Sequence, residues 1–336
     1  MKRIIILLAV FALLGGATAW YMTSKDDVND SMSELRAERD FATDPETVYK
    51  VFIADRQGEN TTLERKKGYW LYNGQWRANP GAIENLMGAI GAVQMKYKPP
   101  QAAVKPMIND LATQGIKVEL YDKKDELIKT YYVGGAPADE RGTYMIMEGA
   151  ENPFVTHIPN WTGNLRFRYN LSGDEWRDKT VFSYELEDIQ SVSVEYPKQK
   201  NKSFILTKDG RDYSIKPFYD ITPESTKPYK KGSAENFLIG FEQLIAESFK
   251  NEKEEKDSIS QQIPFTIISL TDVNGNTKEV KFHPLLPNHS VDSKTGAIFS
   301  GGDVERYFAD CNTGDFMMVQ HRVFQKIFWA YEFFFS

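Results

Sequence analysis

One order of features occurs twice in the chain, and that repetition limits the fold more than any single motif. The first half runs VYKVFIADRQGENTTLERKKGYWLYNG, then PGAIENLMGAIGAV, then GIKVELYDKKDELIKTYYVGG, then GTYMIMEGAENPFVTHIP. The second half answers with DIQSVSVEYPKQKNKSFILTKDGRDYSIKP, GSAENFLIGFEQLIAESF, IPFTIISLTDVNGNTKEVKFHP and VERYFADCNTGDFMMVQHRVF. The offset is about 150 residues, roughly one domain by the usual length prior. Val51 and Ile53, like Val192 and Val194, lie on alternating positions, the period of a half-buried strand. Ile83, Leu86, Met87 and Ile90, and again Phe237, Leu238, Phe241, Leu244 and Ile245, recur at helical spacing. Pro80 and Ser233 supply helix-start chemistry, and both helical stretches contain a Glu-Asn pair, Glu84-Asn85 and Glu235-Asn236. Lys67-Gly68, Asp209-Gly210, Lys124-Asp125 and Asn274-Gly275 read as turns between strands. The pattern therefore predicts an α+β fold of tandem duplicated β-rich domains, each an antiparallel sheet with one main helix packed on it.

The expected boundaries follow from composition. Residues 1–22 combine Lys2-Arg3, an apolar run and small residues ending at Ala19, which is the form of an export signal. Trp20, Tyr21 and Met22 lengthen the apolar run to about 19 residues, near what a bilayer span requires. Two fates are expected: an uncleaved anchor in the inner membrane with the globular part in the periplasm, or cleavage after Ala19 and release into the periplasm. Residues 23–40 read as a flexible stalk, 41–172 as the first copy, 173–187 as a junction, and 188–336 as the second copy. The second copy ends in VFQKIFWAYEFFFS, where Phe324, Ile327, Phe328, Tyr331 and either Phe334 or Phe335 predict an aromatic helical stripe.

A net charge of −6 with cations dispersed along the chain carries no footprint for nucleic acid. The single cysteine, Cys311, excludes an internal disulfide and any multi-cysteine metal site, and reads as a buried thiol. Asp272-Val273-Asn274-Gly275-Asn276 begins like a calcium loop, yet the twelfth position is His283 where a bidentate glutamate is needed. His283 and His289 match no zinc spacing and are expected in a loop. His157 and His321 close the corresponding strands VTH and VQH, and are expected to make a shared structural hydrogen bond to a backbone carbonyl. No nucleophile elbow, zinc-protease motif or phosphate loop occurs, and no cofactor is expected.

Three groups of residues are candidate sites. GDEWRDKTVF contains Asp174, Glu175, Trp176, Arg177 and Asp178, readable either as a joint between the copies or as a carboxylate site. Asp139, Glu140 and Arg141 form a candidate carboxylate-arginine loop, whose alternative is a solvated loop. Trp70, Tyr72, Trp76 and Trp161 form a candidate aromatic surface, whose alternative is core.

The stretches ADERGTYMIMEG, NLRFRYN and GDEWRDKTVF, in this order, resemble a bacterial envelope family defined by a domain of unknown function, number 4340, found in Bacteroidetes-type bacteria. The segment from Trp176 to Lys179 is similar to that family's arginine-aspartate signature. The resemblance implies an exported or membrane-anchored protein associated with ABC-type transporters, and brings no catalytic residue with it. Asp30-Ser31-Met32 and Asp257-Ser258-Ile259 also resemble a three-residue O-glycosylation acceptor of those bacteria. The expected function is therefore a non-catalytic binding or scaffold protein with a membrane-protein partner. The alternative is a glycan-binding module or glycoside hydrolase that uses the carboxylates of the junction.

Overall fold

A computed structural model describes residues 37–210, 212–285, 290–291, 298–299 and 304–336. The expected signal or anchor, most of the stalk, Asp30-Ser31-Met32 and His289 lie outside the described residues. Among the described residues no helix is long and apolar enough to cross a membrane. The architecture is β-rich with a few helices, as expected for α+β. The chain divides into two compact units between Asp178 and Lys179, inside the GDEWRDKTVF stretch.

The first unit contains β1 (Lys50–Ala54), β2 (Asn60–Arg65), β3 (Trp70–Tyr72), β4 (Trp76–Arg77), helix α1 (Pro80–Ala92), β5 (Gln94–Tyr97), α2 (Gln101–Gln114), β6 (Ile116–Tyr121), β7 (Leu127–Val133), β8 (Thr143–Met147) and β9 (Phe154–His157). Its strands form one sheet in the order β4-β3-β2-β1-β6-β7-β8-β9-β5. The second unit contains β10 (Thr180–Phe182), β11 (Ile189–Glu195), β12 (Phe204–Asp209), β13 (Asp212–Pro217), α3 (Ser233–Leu238), β14 (Leu244–Ile245), β15 (Ser248–Phe249), α4 (Lys256–Ser260), β16 (Thr266–Asp272), β17 (Thr277–Leu285), β18 (Ser290–Val291), β19 (Ile298–Phe299), β20 (Arg306–Cys311), β21 (Phe316–Gln320) and α5 (His321–Phe324). Its main sheet runs β13-β12-β11-β16-β17-β20-β21-β15. Apart from the two-residue β4, this is the strand order of the first sheet, element for element. The two short pairs β10-β14 and β18-β19 stand outside it.

Alternation along each strand explains which face is buried. Val51, Ile53, Val118, Leu120, Tyr131 and Val133 pack against Leu86 and Ile90 of α1, all within the core of the first unit. Val192, Val194, Ile268, Leu270, Val280 and Phe282 do the same with Phe237 and Phe241 in the second. The second core is unusually aromatic: the Phe237 ring lies 5.3 to 5.7 Å from those of Phe204, Phe241, Phe334 and Trp329. Cys311 is buried there, and burial pushes its thiol up to about 11.

The hairpins share one turn device. Asp55, Asp122 and Asp272 each use Oδ1 to accept the backbone N–H groups two and four residues on, at 2.8 to 3.0 Å. Gly58, Asp125 and Gly275 take the positive φ that closes each turn. The likeness of residues 272–276 to a calcium loop thus has a backbone explanation, because this carboxylate oxygen already serves the turn.

Four expectations are corrected. The first unit has two helices rather than one, because residues after Pro99-Pro100 form α2, whose Val104, Met107 and Leu111 are buried and which packs against β8. The second-unit helix ends early: α3 passes into a 3-10 turn at Ile239–Phe241, and Leu244 belongs to β14, paired with Phe182. Gly240 explains the tight approach there, since a Cβ at this position would lie 3.1 Å from both the Lys326 carbonyl oxygen and Ile327 Cγ2. The C-terminal aromatic segment is not one helix but the single turn α5 followed by 3-10 turns at Gln325–Ile327 and Tyr331–Phe334, broken at Phe328 (φ −92°, ψ 57°). Its rings still bury, because close fit against α3 rather than helical continuity aims them inward. Finally, His283 lies within β17 rather than in a loop. The following Pro284 is tolerated because pairing of β17 with β16 stops at Phe282.

Candidate functional site

The three carboxylates of GDEWRDKTVF are each held by the fold of the first unit. Residues Gly173–Trp176 form a 3-10 turn with a capping box, in which Glu175 Oε2 accepts the Ser172 N–H at 3.1 Å. Asp174 Oδ1 accepts from Arg177 Nη1 at 2.8 Å, and Asp178 Oδ2 forms an ion pair with Arg77 Nε at 3.2 Å. Trp176 is fully buried, with its indole Nε1 donating to the Leu171 carbonyl at 2.8 Å. The Trp176 carbonyl accepts the Asn79 N–H at 2.8 Å, while Asn79 Oδ1 caps α1 through the Gly81 N–H at 3.1 Å. The tryptophan thus anchors both this turn and the first turn of the helix. As a buried residue it cannot serve as a ligand-stacking surface.

The loop candidate is also structural in its observed contacts. Asp139, Glu140 and Arg141 are exposed, and Asp139 Oδ1 accepts the Arg141 backbone N–H at 3.1 Å. Glu140 sits at φ 54°, closing a turn on the Pro137 carbonyl at 2.9 Å. The Arg141 carbonyl accepts from Lys96 Nζ at 2.6 Å. The carboxylate-arginine pairing that motivated this candidate is not among these contacts.

The aromatic candidates do not form one platform. Tyr72 is buried, which removes it from any surface, and its hydroxyl is pushed upward chiefly by that burial. Each of the other three carries a guanidinium over its ring. Arg65 stands 5.1 Å from Trp70, Arg177 3.9 Å from Trp76, and Arg168 5.0 Å from Trp161. Trp161 is also braced by Gly163 (φ 146°), where a Cβ would lie 2.6 Å from Trp161 Cη2. Gly163→Ala is expected to displace the indole and cost about 1–3 kcal/mol, read by chemical denaturation with near-ultraviolet circular dichroism.

NLRFRYN owes its form to two arginines that sequence reading left without roles. Arg166 donates to the carbonyls of Val133 (3.1 Å) and Gln114 (2.7 Å), and Arg168 Nη1 donates to the Asn85 carbonyl of α1 (3.1 Å). Arg166 thus meets the last residues of β7 and α2, and Arg168 reaches the interior of α1. A cleft of about 200 Å³ lies nearby, floored by Ile53, Ile116 and Tyr169 and rimmed by Asp55, Glu59 and Ser172.

The second unit has a larger cavity, of about 420 Å³, lined by Val304, Glu305, Arg306, Gln320, His321 and Arg322 at one end of β20 and β21. Glu247 Oε2 accepts from Arg306 Nε at 2.9 Å and Gln320 Nε2 at 3.1 Å. Gln320 Oε1 in turn accepts from Arg322 Nε at 2.7 Å. Arg306 and then Gln320 hold the Glu247 carboxyl below its ordinary range. His321 Nδ1 lies 3.3 Å from the Tyr307 hydroxyl, whose own proton is retained more firmly because the ring is buried. The expected shared bond to a backbone carbonyl is therefore corrected: His321 meets a phenol. His157, opposite Gln94, makes no side-chain hydrogen bond among the described residues. Of this cluster only His321 was singled out from sequence. The signal available for the others was a pair of charged or polar residues flanking two adjacent strand ends, Glu305-Arg306 and Gln320-His321-Arg322. Among the described residues no group of three or more acidic, histidine or cysteine side chains is placed to hold a metal.

Compared with known families, residues 70–262, more than half of the chain, match the model of a domain of unknown function (DUF4340). No curated protein matches the chain.

Proposed function

The chain belongs to the DUF4340 family, and from that premise we propose that it is a non-catalytic binding or scaffold protein of the bacterial envelope. Its N-terminal segment holds it at the inner membrane with the globular part in the periplasm. There it serves as an accessory component of an ABC-type transport or export complex. The two units derive from an internal duplication, a reading supported by their common strand order.

One observation carries the non-catalytic reading. Asp174, Glu175 and Asp178 are each engaged by an arginine or a backbone N–H of their own unit. A general acid and base need carboxyls that face a substrate, and these are spent on holding a turn. The glycan alternative draws less support, since each of Trp70, Trp76 and Trp161 already has an arginine over its ring.

The test is to tag the full-length chain in its own host, crosslink, extract gently, and identify co-purifying proteins while reading the mature N-terminus. Transporter subunits in stoichiometric yield, with Met1 or Lys2 retained, are expected. A lone soluble protein beginning at Trp20 overturns the anchored-accessory reading. Turnover of an envelope substrate that is abolished by Asp174→Asn or Asp178→Asn overturns the non-catalytic one.

A further inference from the structure

We infer that the cavity at the ends of β20 and β21 is a binding site for a small monocarboxylate, received by Arg322 and His321. Nothing in the accessory role requires this site, and it lies beyond the residues that the family model matches.

The inference starts from how Arg322 is held. Its guanidinium offers five N–H donors in a rigid fork, of which Nε is committed to Gln320 Oε1 at 2.7 Å. Gln320 is itself fixed by Glu247, and Glu247 by Arg306. This chain of bonds sets the plane of an exposed guanidinium at the cavity wall, and among the described residues no carboxylate is paired directly with it. Its two terminal nitrogens have the spacing that matches a carboxylate in bidentate fashion. The neighbouring imidazole adds a donor. In the tautomer in which the Tyr307 phenol donates to Nδ1, 3.3 Å away, the other ring nitrogen, Nε2, carries the N–H, on the side away from Tyr307.

Charge selects the class of anion. Arg306 and Arg322 are balanced by Glu305 of the wall, whose Oε2 lies 3.7 Å from Arg306 Nη1, and by Glu247, bonded to Arg306 Nε. These four side chains sum to zero, so a bound monocarboxylate brings them to −1 and a dianion to −2, and the second charge adds repulsion from both glutamates that the single fork of Arg322 does not offset. Val304 supplies an apolar wall, and a cavity of about 420 Å³ falls in the size range of small-molecule sites. A monocarboxylate with a short apolar tail fits these terms better than a phosphate.

The test is a titration of the full-length chain with butyrate at pH 7.5, followed by saturation-transfer-difference NMR, with butyramide and inorganic phosphate as parallel probes. Saturable butyrate binding is expected, with butyramide silent and phosphate weaker. Arg322→Gln should weaken butyrate by roughly tenfold or more, the effect of losing a charge-assisted bidentate pair. Arg322→Lys should restore only part of it, because a point charge replaces a planar fork. Arg322 is exposed, so neither change threatens folding. Absence of saturable butyrate binding, equal binding of butyramide, tighter binding of phosphate, or unchanged binding by Arg322→Gln overturns the assignment.

Discussion

Trp176→Ala is expected to destabilise the first unit by about 3–5 kcal/mol, the range for emptying a large aromatic from a packed core. The side chain is fully buried, and its loss also leaves the Leu171 carbonyl without its indole donor. The damage should extend to α1, because the Trp176 carbonyl and the Asn79 cap form one hydrogen-bonded unit. Trp176→Phe separates the two contributions. It keeps most of the ring volume and loses the N–H with a small part of the bicycle, so a cost nearer about 1–2 kcal/mol is expected. Urea denaturation with amide hydrogen exchange across residues 79–92 reads both effects. An alanine variant as stable as the parent, with unchanged exchange in α1, would mean that the tryptophan is not the anchor described above.

The second large effect has the opposite sign. His283 is 2 % exposed, and among the described residues neither Nδ1 nor Nε2 has a hydrogen-bond partner. A buried, unsatisfied polar ring costs about 1–3 kcal/mol, so His283→Leu, similar in volume, is expected to stabilise the second unit by that order. Burial lowers the pKa of this histidine from its ordinary 6.5, opposed by nearby Asp310 and reinforced by Lys281. The unfolded chain therefore takes up a proton near pH 6.5 while the folded chain resists it. This residue's contribution to stability is intact above that pH and is lost as pH falls toward the lower folded value. The slope is at most about 1.4 kcal/mol per pH unit. The advantage of His283→Leu should thus grow from pH 8 to pH 5 in paired denaturation series. A constant difference across that range would show that the ring finds a partner or water in solution.

These two residues mark the two ways in which sequence and structure part. Trp176 was visible as a feature of a charged stretch, but its burial was not, because charged neighbours on both sides suggest an exposed turn. Only the capping of that turn by Glu175, the Asn79 N–H on the Trp176 carbonyl and the indole's bond to the Leu171 carbonyl decide that the ring points inward. His283 followed by proline suggested a loop for a local reason, since proline usually ends a central strand. Pairing with β20 continues through Pro284 on the opposite edge, a long-range fact that no local window contains.

The repeated order of strands was legible because alternation is a local property: a half-buried strand must place apolar residues on every second position, whatever lies beside it. The same holds for the tight turns, where Gly68, Gly210 and Gly275 supply a positive φ that other residues resist. Helix length and site composition are not local. Gly240 against Lys326, and Phe328 within its aromatic cluster, end helices by packing rather than by propensity. Glu247, Arg306, Gln320 and Arg322 come together only when β20 and β21 pair beside β15. Sequence alone determined the repeated pattern, because neighbouring residues are enough to define a period. Tertiary structure decided which side chains were spent on the fold and which remained to meet a ligand, because that depends on partners distant in the chain.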